Sequence, residues 1–129
     1  MNIHHIAIWT KDVEDMKDFY VRYFGCSHKE KYNNPKRSFT SYFLEFSCGA
    51  RLELMHNPAV INNQNNPGKI TVGIHHFAIS VGSRESVLLC TEKLRKNGYA
   101  VVSEPRMTGD GYFESCVLDP EGNRIEITV

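Results

Sequence analysis

Apolar and polar positions alternate most clearly in two short stretches, and each stretch has a copy elsewhere in the chain. Ile3-His4-His5-Ile6-Ala7-Ile8-Trp9-Thr10 returns as Ile74-His75-His76-Phe77-Ala78-Ile79-Ser80-Val81. Gly49-Ala50-Arg51-Leu52-Glu53-Leu54 returns as Gly122-Asn123-Arg124-Ile125-Glu126-Ile127. Period-two alternation is the mark of a strand with one face buried. Both halves therefore open on a His-bearing strand and close on a Glu-bearing one, and the chain reads as two copies of one supersecondary unit.

Between these strands the period lengthens. After Asp12, a good N-cap, Val13, Met16, Phe19, Tyr20, Tyr23 and Phe24 recur at helical spacing until Gly25 stops the run. Ser27–Tyr32 reads as a short polar edge strand, Asn33-Asn34-Pro35 as a turn and Ser38–Ser47 as an aromatic-rich strand. In the second half Ser83 caps a helix bearing Val87, Leu88, Thr91 and Leu94, which stops at Asn97-Gly98. Tyr99–Ser103 is the next strand, Pro105–Gly111 a loop, Tyr112–Leu118 a strand and Asp119-Pro120-Glu121-Gly122 a tight turn. The expected plan is α+β, two β-α-β-β-β repeats over residues 1–56 and 74–129, joined by an Asn/Pro/Gly-rich linker over residues 57–73. Neither repeat at about 60 residues buries a sheet easily alone, so all 129 residues are expected to form a single domain of paired halves.

Parity places the candidate chemistry. Arg124, Glu126 and Thr128 share one face of their strand, and Ile125, Ile127 and Val129 the other. Arg51, Glu53 and Met55 oppose Leu52 and Leu54 in the same way, and His5 and His76 fall with the small residues Ala7 and Ala78. His5, Glu53, His76 and Glu126 thus line one polar face, while His4 and His75 fall on the packed face and are read as non-ligands. Two imidazoles and two carboxylates suit one divalent ion such as Ni, Zn, Co, Fe or Mn, and leave room for two vicinal oxygens of a substrate.

Composition narrows the field. The chain is 41% hydrophobic and 23% charged, an ordinary globular balance. Its 15 basic and 15 acidic residues cancel, so no overall field calls for nucleic acid, a membrane or a polyanionic partner. Cys26, Cys48, Cys90 and Cys116 are widely spaced, with no Cys-x-x-Cys pair, signal peptide or long apolar span, and are expected as reduced thiols in the cytoplasm.

The paired plan, His5 with Asp12 seven residues on, His76 leading Phe-Ala-Ile-Ser-Val, and Asp119-Pro-Glu-Gly-Asn-Arg-Ile-Glu126 together resemble the vicinal oxygen chelate superfamily over the whole chain. That resemblance implies a glyoxalase/bleomycin-resistance/dioxygenase-type fold with a cupped mixed β-sheet. The full His/Glu/His/Glu set looks most like glyoxalase I, the lactoylglutathione lyase type, which isomerises the hemithioacetal of a 2-oxoaldehyde and a thiol into a thioester. It implies Glu126 as the base, with Glu53 as second acid/base candidate. Asn57, four residues after Glu53, matches the family's glutathione-binding Asn. Where the family carries an Arg for glutathione's carboxylate, this chain has Trp9, a substrate-contact candidate that disfavours glutathione. A homodimer is expected, with a site made from one chain or from two. Competing readings are a thiol transferase to an antibiotic, an acyl-CoA epimerase, or a non-catalytic drug-binding module.

Overall fold

The computed structural model describes residues 1–61 and 72–129, so much of the expected linker lies outside the described residues. The chain forms two compact units, Met1–Lys69 and Ile70–Val129.

In the first unit, β1 (His5–Thr10) leads into α1 (Val13–Phe24). The Asp12 carboxylate accepts from the backbone N–H of Glu14 and Asp15 at 3.1 and 3.0 Å, and Gly25 ends the helix at φ 65°, a left-handed position open to glycine. Twelve residues are marginal for an isolated helix, so packing holds it. Val13, Met16, Phe19, Tyr20 and Tyr23 are buried on its inner face. α1 packs on β4 (Phe39–Glu45) and β5 (Arg51–His56), whose Leu44, Leu52 and Leu54 are buried, at roughly 1.5–3 kcal/mol per large apolar side chain buried. The sheet order is β1-β5-β4-β2, with β1 parallel to β5.

The expected Ser27–Tyr32 strand is split in two. β2 (Ser27–His28) and β3 (Tyr32–Asn34) pair separately with β4, and a 3-10 turn at Pro35–Arg37 follows. Asn33-Asn34 is thus strand, and the turn begins only at Pro35, whose fixed φ suits the first helical position.

The second unit repeats the topology as β6 (Phe77–Ser80), α2 (Arg84–Lys96), β7 (Val101–Met107), β8 (Phe113–Leu118) and β9 (Arg124–Thr128). Its order is β6-β9-β8-β7, again with the first strand parallel to the last. Ser83 caps α2 through its hydroxyl, as read from the sequence. Leu88 points away from the core and is exposed, and the buried face of α2 is Val87, Thr91 and Leu94.

Two boundaries moved. Strand pairing starts at Phe77, opposite Ile125, so His75 and His76 stand just ahead of β6 rather than within it. Pro105–Met107 belongs to β7 and not to the loop. Proline lacks a ladder N–H but is tolerated at an irregular edge. β7 is such an edge, and its register shifts between Ser103 and Arg106.

Candidate active site

Register puts His5 and Glu53 on one face of the first sheet. In the parallel β1–β5 pair, His5 lies opposite Arg51, Ala7 opposite Glu53 and Trp9 opposite Met55. Leu52 and Leu54 point the other way and are buried, which fixes the outward set. His5 Nε2 lies 3.8 Å from Glu53 Oε2. Around them, the His5 ring meets Phe43 edge-on at 5.4 Å, and the Arg51 guanidinium lies 4.4 Å over the Phe43 ring. Arg51 also donates to His4 Nε2 at 2.9 Å and pairs with Glu45 at 3.8 Å.

The second unit builds the same pair more tightly. His76 Nε2 is 3.0 Å from Glu126 Oε2, within hydrogen-bond reach. Glu126 sits between Ala78 of β6 and Cys116 of β8 in the register, while Ile125 and Ile127 are fully buried behind it. All four side chains keep some exposure, from 14% for Glu53 to 38% for each histidine, so a ligand can reach them.

Alternation along the sequence places His4 and His75 on the packed side, and the structure corrects this. Both are exposed, and each turns its Nδ1 toward that of its neighbour, at 2.8 Å in His4–His5 and 2.9 Å in His75–His76. One nitrogen of each pair must donate and the other accept, so the tandem histidines orient the His5 and His76 rings.

The substrate-contact candidates are placed as follows. Trp9 is 52% exposed on the face of Glu53, with its ring 6.0 Å edge-on from Phe39. The Asn57 amide donates to the Arg37 carbonyl at 3.0 Å, and its side-chain oxygen accepts from the Ala59 N–H at 2.9 Å. One amide hydrogen of Asn57 is thus committed to holding the chain after β5.

A carboxylate that sequence reasoning passed over joins the second site face. Glu114 lies opposite Thr128 in the β8–β9 ladder, on the side of Cys116 and Glu126. Burial, reinforced by the negative charge of Glu126, pushes its carboxyl above the usual carboxylate range. The only signal in the sequence was the parity it shares with Cys116; its place beside Thr128 depends on pairing with β9. Cys116 is also pushed up by burial, against the pull of a hydrogen bond with Arg124.

Imidazole nitrogen with carboxylate oxygen is a donor set for first-row divalent metals, and His5 with Glu53, or His76 with Glu126, could hold one. Among the described residues, no three or more His, Cys, Asp or Glu side chains gather as a group that could hold a metal ion.

Comparison with known proteins identifies relatives of this fold. The chain is 28% identical over 127 residues to a lactoylglutathione lyase of Arabidopsis thaliana, covering 95% of this chain but only 42% of that protein. It is 29% identical over 130 residues to the uncharacterized protein YwkD of Bacillus subtilis, covering 98% of this chain and 94% of that one. The crystal structure of glyoxalase I from Zea mays shares the fold, with a TM-score of 0.79 at 24% identity over 98% of this chain and 44% of that one. The model of the glyoxalase/bleomycin resistance protein/dioxygenase superfamily matches residues 2–127, almost the full length over which the His- and Glu-bearing strands recur. The chain belongs to that superfamily.

Proposed function

We propose that this protein is a metal-dependent lyase of the glyoxalase I type, acting on a hemithioacetal or a similar substrate with two vicinal oxygens. The observation that carries this reading is the matched pair of His–Glu contacts, one in each unit, on corresponding strands. His5, Glu53, His76 and Glu126 would together hold one divalent ion. When bound, that ion would supply Lewis-acid stabilisation to the negative charge that develops on the two substrate oxygens.

The chain's own residues do the rest. Glu126 takes the proton from the hydroxyl-bearing carbon and returns it to the neighbouring carbon, and Glu53 is the second acid/base candidate. The His76 contact at 3.0 Å holds the Glu126 carboxylate in a defined orientation. Ile125 and Ile127 anchor that strand in the core, so the base is carried on a rigid element. Trp9 and Asn57 contact the thiol-derived part of the substrate.

The thiol partner is not glutathione on this reading. Its carboxylates need cationic or several hydrogen-bonding partners once desolvated. Trp9 offers one N–H, and Arg51 is engaged by Glu45, His4 and Phe43. Losing one charge-assisted contact costs about 1.5–3 kcal/mol.

The active form is a homodimer, with the four ligands drawn from one chain or from two. Among the described residues Cys26, Cys48, Cys90 and Cys116 form no disulfide, the state in which a reducing cytoplasm would keep them. Thioester formation from methylglyoxal, measured with a panel of thiols and with protein reconstituted with each candidate metal, tests the reading. Turnover that vanishes in Glu126→Gln supports it. Absence of product with every thiol and metal would refute it, and efficient turnover with glutathione would refute the reading of Trp9. A hybrid dimer of His5→Ala and Glu126→Ala chains keeps one intact site if ligands are shared between chains and none if they are not.

A further inference from the structure

The first unit has no carboxylate at the position equivalent to Glu114. Cys116 faces Glu126 across the β8–β9 ladder as Phe43 faces Glu53 across β4–β5, so Glu114 corresponds to Ser41. It is therefore an addition to the repeated ligand plan. Its side chain is only 15% exposed, and its ion pair with Arg106 spans 3.8 Å, beyond hydrogen-bond length. The irregular register of β7 is what brings Arg106 opposite it. Across the ladder, Thr128 presents a second anomaly, for its Oγ1 is buried with no hydrogen-bond partner among the described residues. Thr128 also lies opposite Ser80 of β6, so the orphan hydroxyl sits mid-sheet, two residues along β9 from Glu126.

A largely covered carboxylate with a distant cation and a buried hydroxyl with no partner among the described residues are both costly, and they stand directly opposite each other on the face of Glu126. Nothing in the strand ladder calls for either. A single group that both donates and accepts, such as an alcohol, would satisfy the two together: its O–H donates to Glu114, and its oxygen accepts from Thr128 Oγ1–H. A carboxylate or phosphate would be repelled by Glu114 and Glu126, and a methyl group would leave both polar groups unmet.

We propose that Glu114 and Thr128 form a hydroxyl-binding subsite beside Glu126, which selects substrates carrying an alcohol group next to their two vicinal oxygens. The inference rests on the chelating reading of the site and names the substrate class that reading leaves open.

Acetohydroxamate and glycolohydroxamate test it. Both present two vicinal oxygens to a metal, and they differ by one hydroxyl. Calorimetric titration of Ni²⁺- or Zn²⁺-loaded protein should show roughly tenfold tighter binding of glycolohydroxamate, the worth of one well-placed hydrogen-bond pair. Glu114→Ala and Thr128→Val should each bring the two affinities to within about twofold. The isosteric Glu114→Gln should reduce the preference and leave metal uptake by equilibrium dialysis unchanged, and it decides the matter with Thr128→Val if the alanine variant fails to fold. Equal affinities in the unsubstituted protein, or a preference that survives Glu114→Gln and Thr128→Val, would overturn the subsite alone. Loss of metal uptake in Glu114→Gln would overturn it too, by making Glu114 a ligand. Binding of neither hydroxamate to the loaded protein would overturn the chelating reading and the subsite with it.

Discussion

The two units share a topology and a His–Glu pair but hold themselves together differently. In the first, α1 buries an aromatic face of Phe19, Tyr20 and Tyr23. In the second, α2 buries only Val87, Thr91 and Leu94, and its centre carries a polar link in which Thr91 Oγ1 lies 2.7 Å from Ser115 Oγ. Tyr42 and Ser115 hold equivalent strand positions, each reaching back to the helix of its unit, Tyr42 to Glu14 and Ser115 to Thr91. The difference carries through to the site faces. The first surrounds its pair with rings and a stacked arginine, and the second with a thiol, a hydroxyl and a carboxylate. A repeat can thus keep the residues that define a ligand set while its neighbours diverge to serve a different part of a substrate.

The comparison breaks most severely through the core. Tyr20 is fully buried, and Tyr20→Ala should cost about 3–5 kcal/mol in urea unfolding, the range for large aromatic truncations. Leu94→Ala in α2 should sit lower, about 2–5 kcal/mol, because a smaller side chain is removed. Parity of the two losses would show that α1 carries no extra weight.

Next comes the polar link. Thr91→Val strands the buried Ser115 hydroxyl and should cost about 1–3 kcal/mol. Adding Ser115→Ala should recover much of it, since two absent partners leave nothing unsatisfied. A double variant as unstable as the sum of the singles would show that the link is not a coupled pair.

Metal uptake compares the two His–Glu pairs directly. His76→Ala and Glu126→Ala should each weaken binding at least about tenfold, or 1.4 kcal/mol. His5→Ala and Glu53→Ala should do the same if one ion draws on both units. Full affinity in the His5 and Glu53 variants would leave the second pair acting alone.

The smallest effect is at the surface of the first unit. Lys31 and Lys17 beside Glu14, helped by the Tyr42 hydroxyl, hold its carboxyl at about 2, against an ordinary value of 4.5. A depressed acid stabilises the fold above its unfolded pKa, so this contribution is present at neutral pH and fades as pH falls from about 4.5 toward 2. Glu14 is nearly half exposed, so screening limits the loss to less than about 1 kcal/mol. Glu14→Gln should flatten that acid limb of the unfolding curve.

Much of this molecule is legible without coordinates. The repeats, both helix caps and the parity of Glu53 and Glu126 follow from local chemistry: alternation is a strand's own period, and a cap is made by a side chain within three residues of the N–H it serves. The sequence alone therefore determined where the two His–Glu pairs lie in the repeats. Tertiary structure decided what depends on pairing. The stagger of the β8–β9 ladder, and no property of either strand, sets Glu114 against Thr128. The irregular pairing of β7 admits Pro105 to a strand and turns Arg106 toward Glu114. His4 and His75 follow the same logic. Alternation assigned them to the packed face, but both precede the first paired residues of their strands, His5 and Phe77, and there the contact with the histidine beside it, rather than the ladder, sets where each ring points.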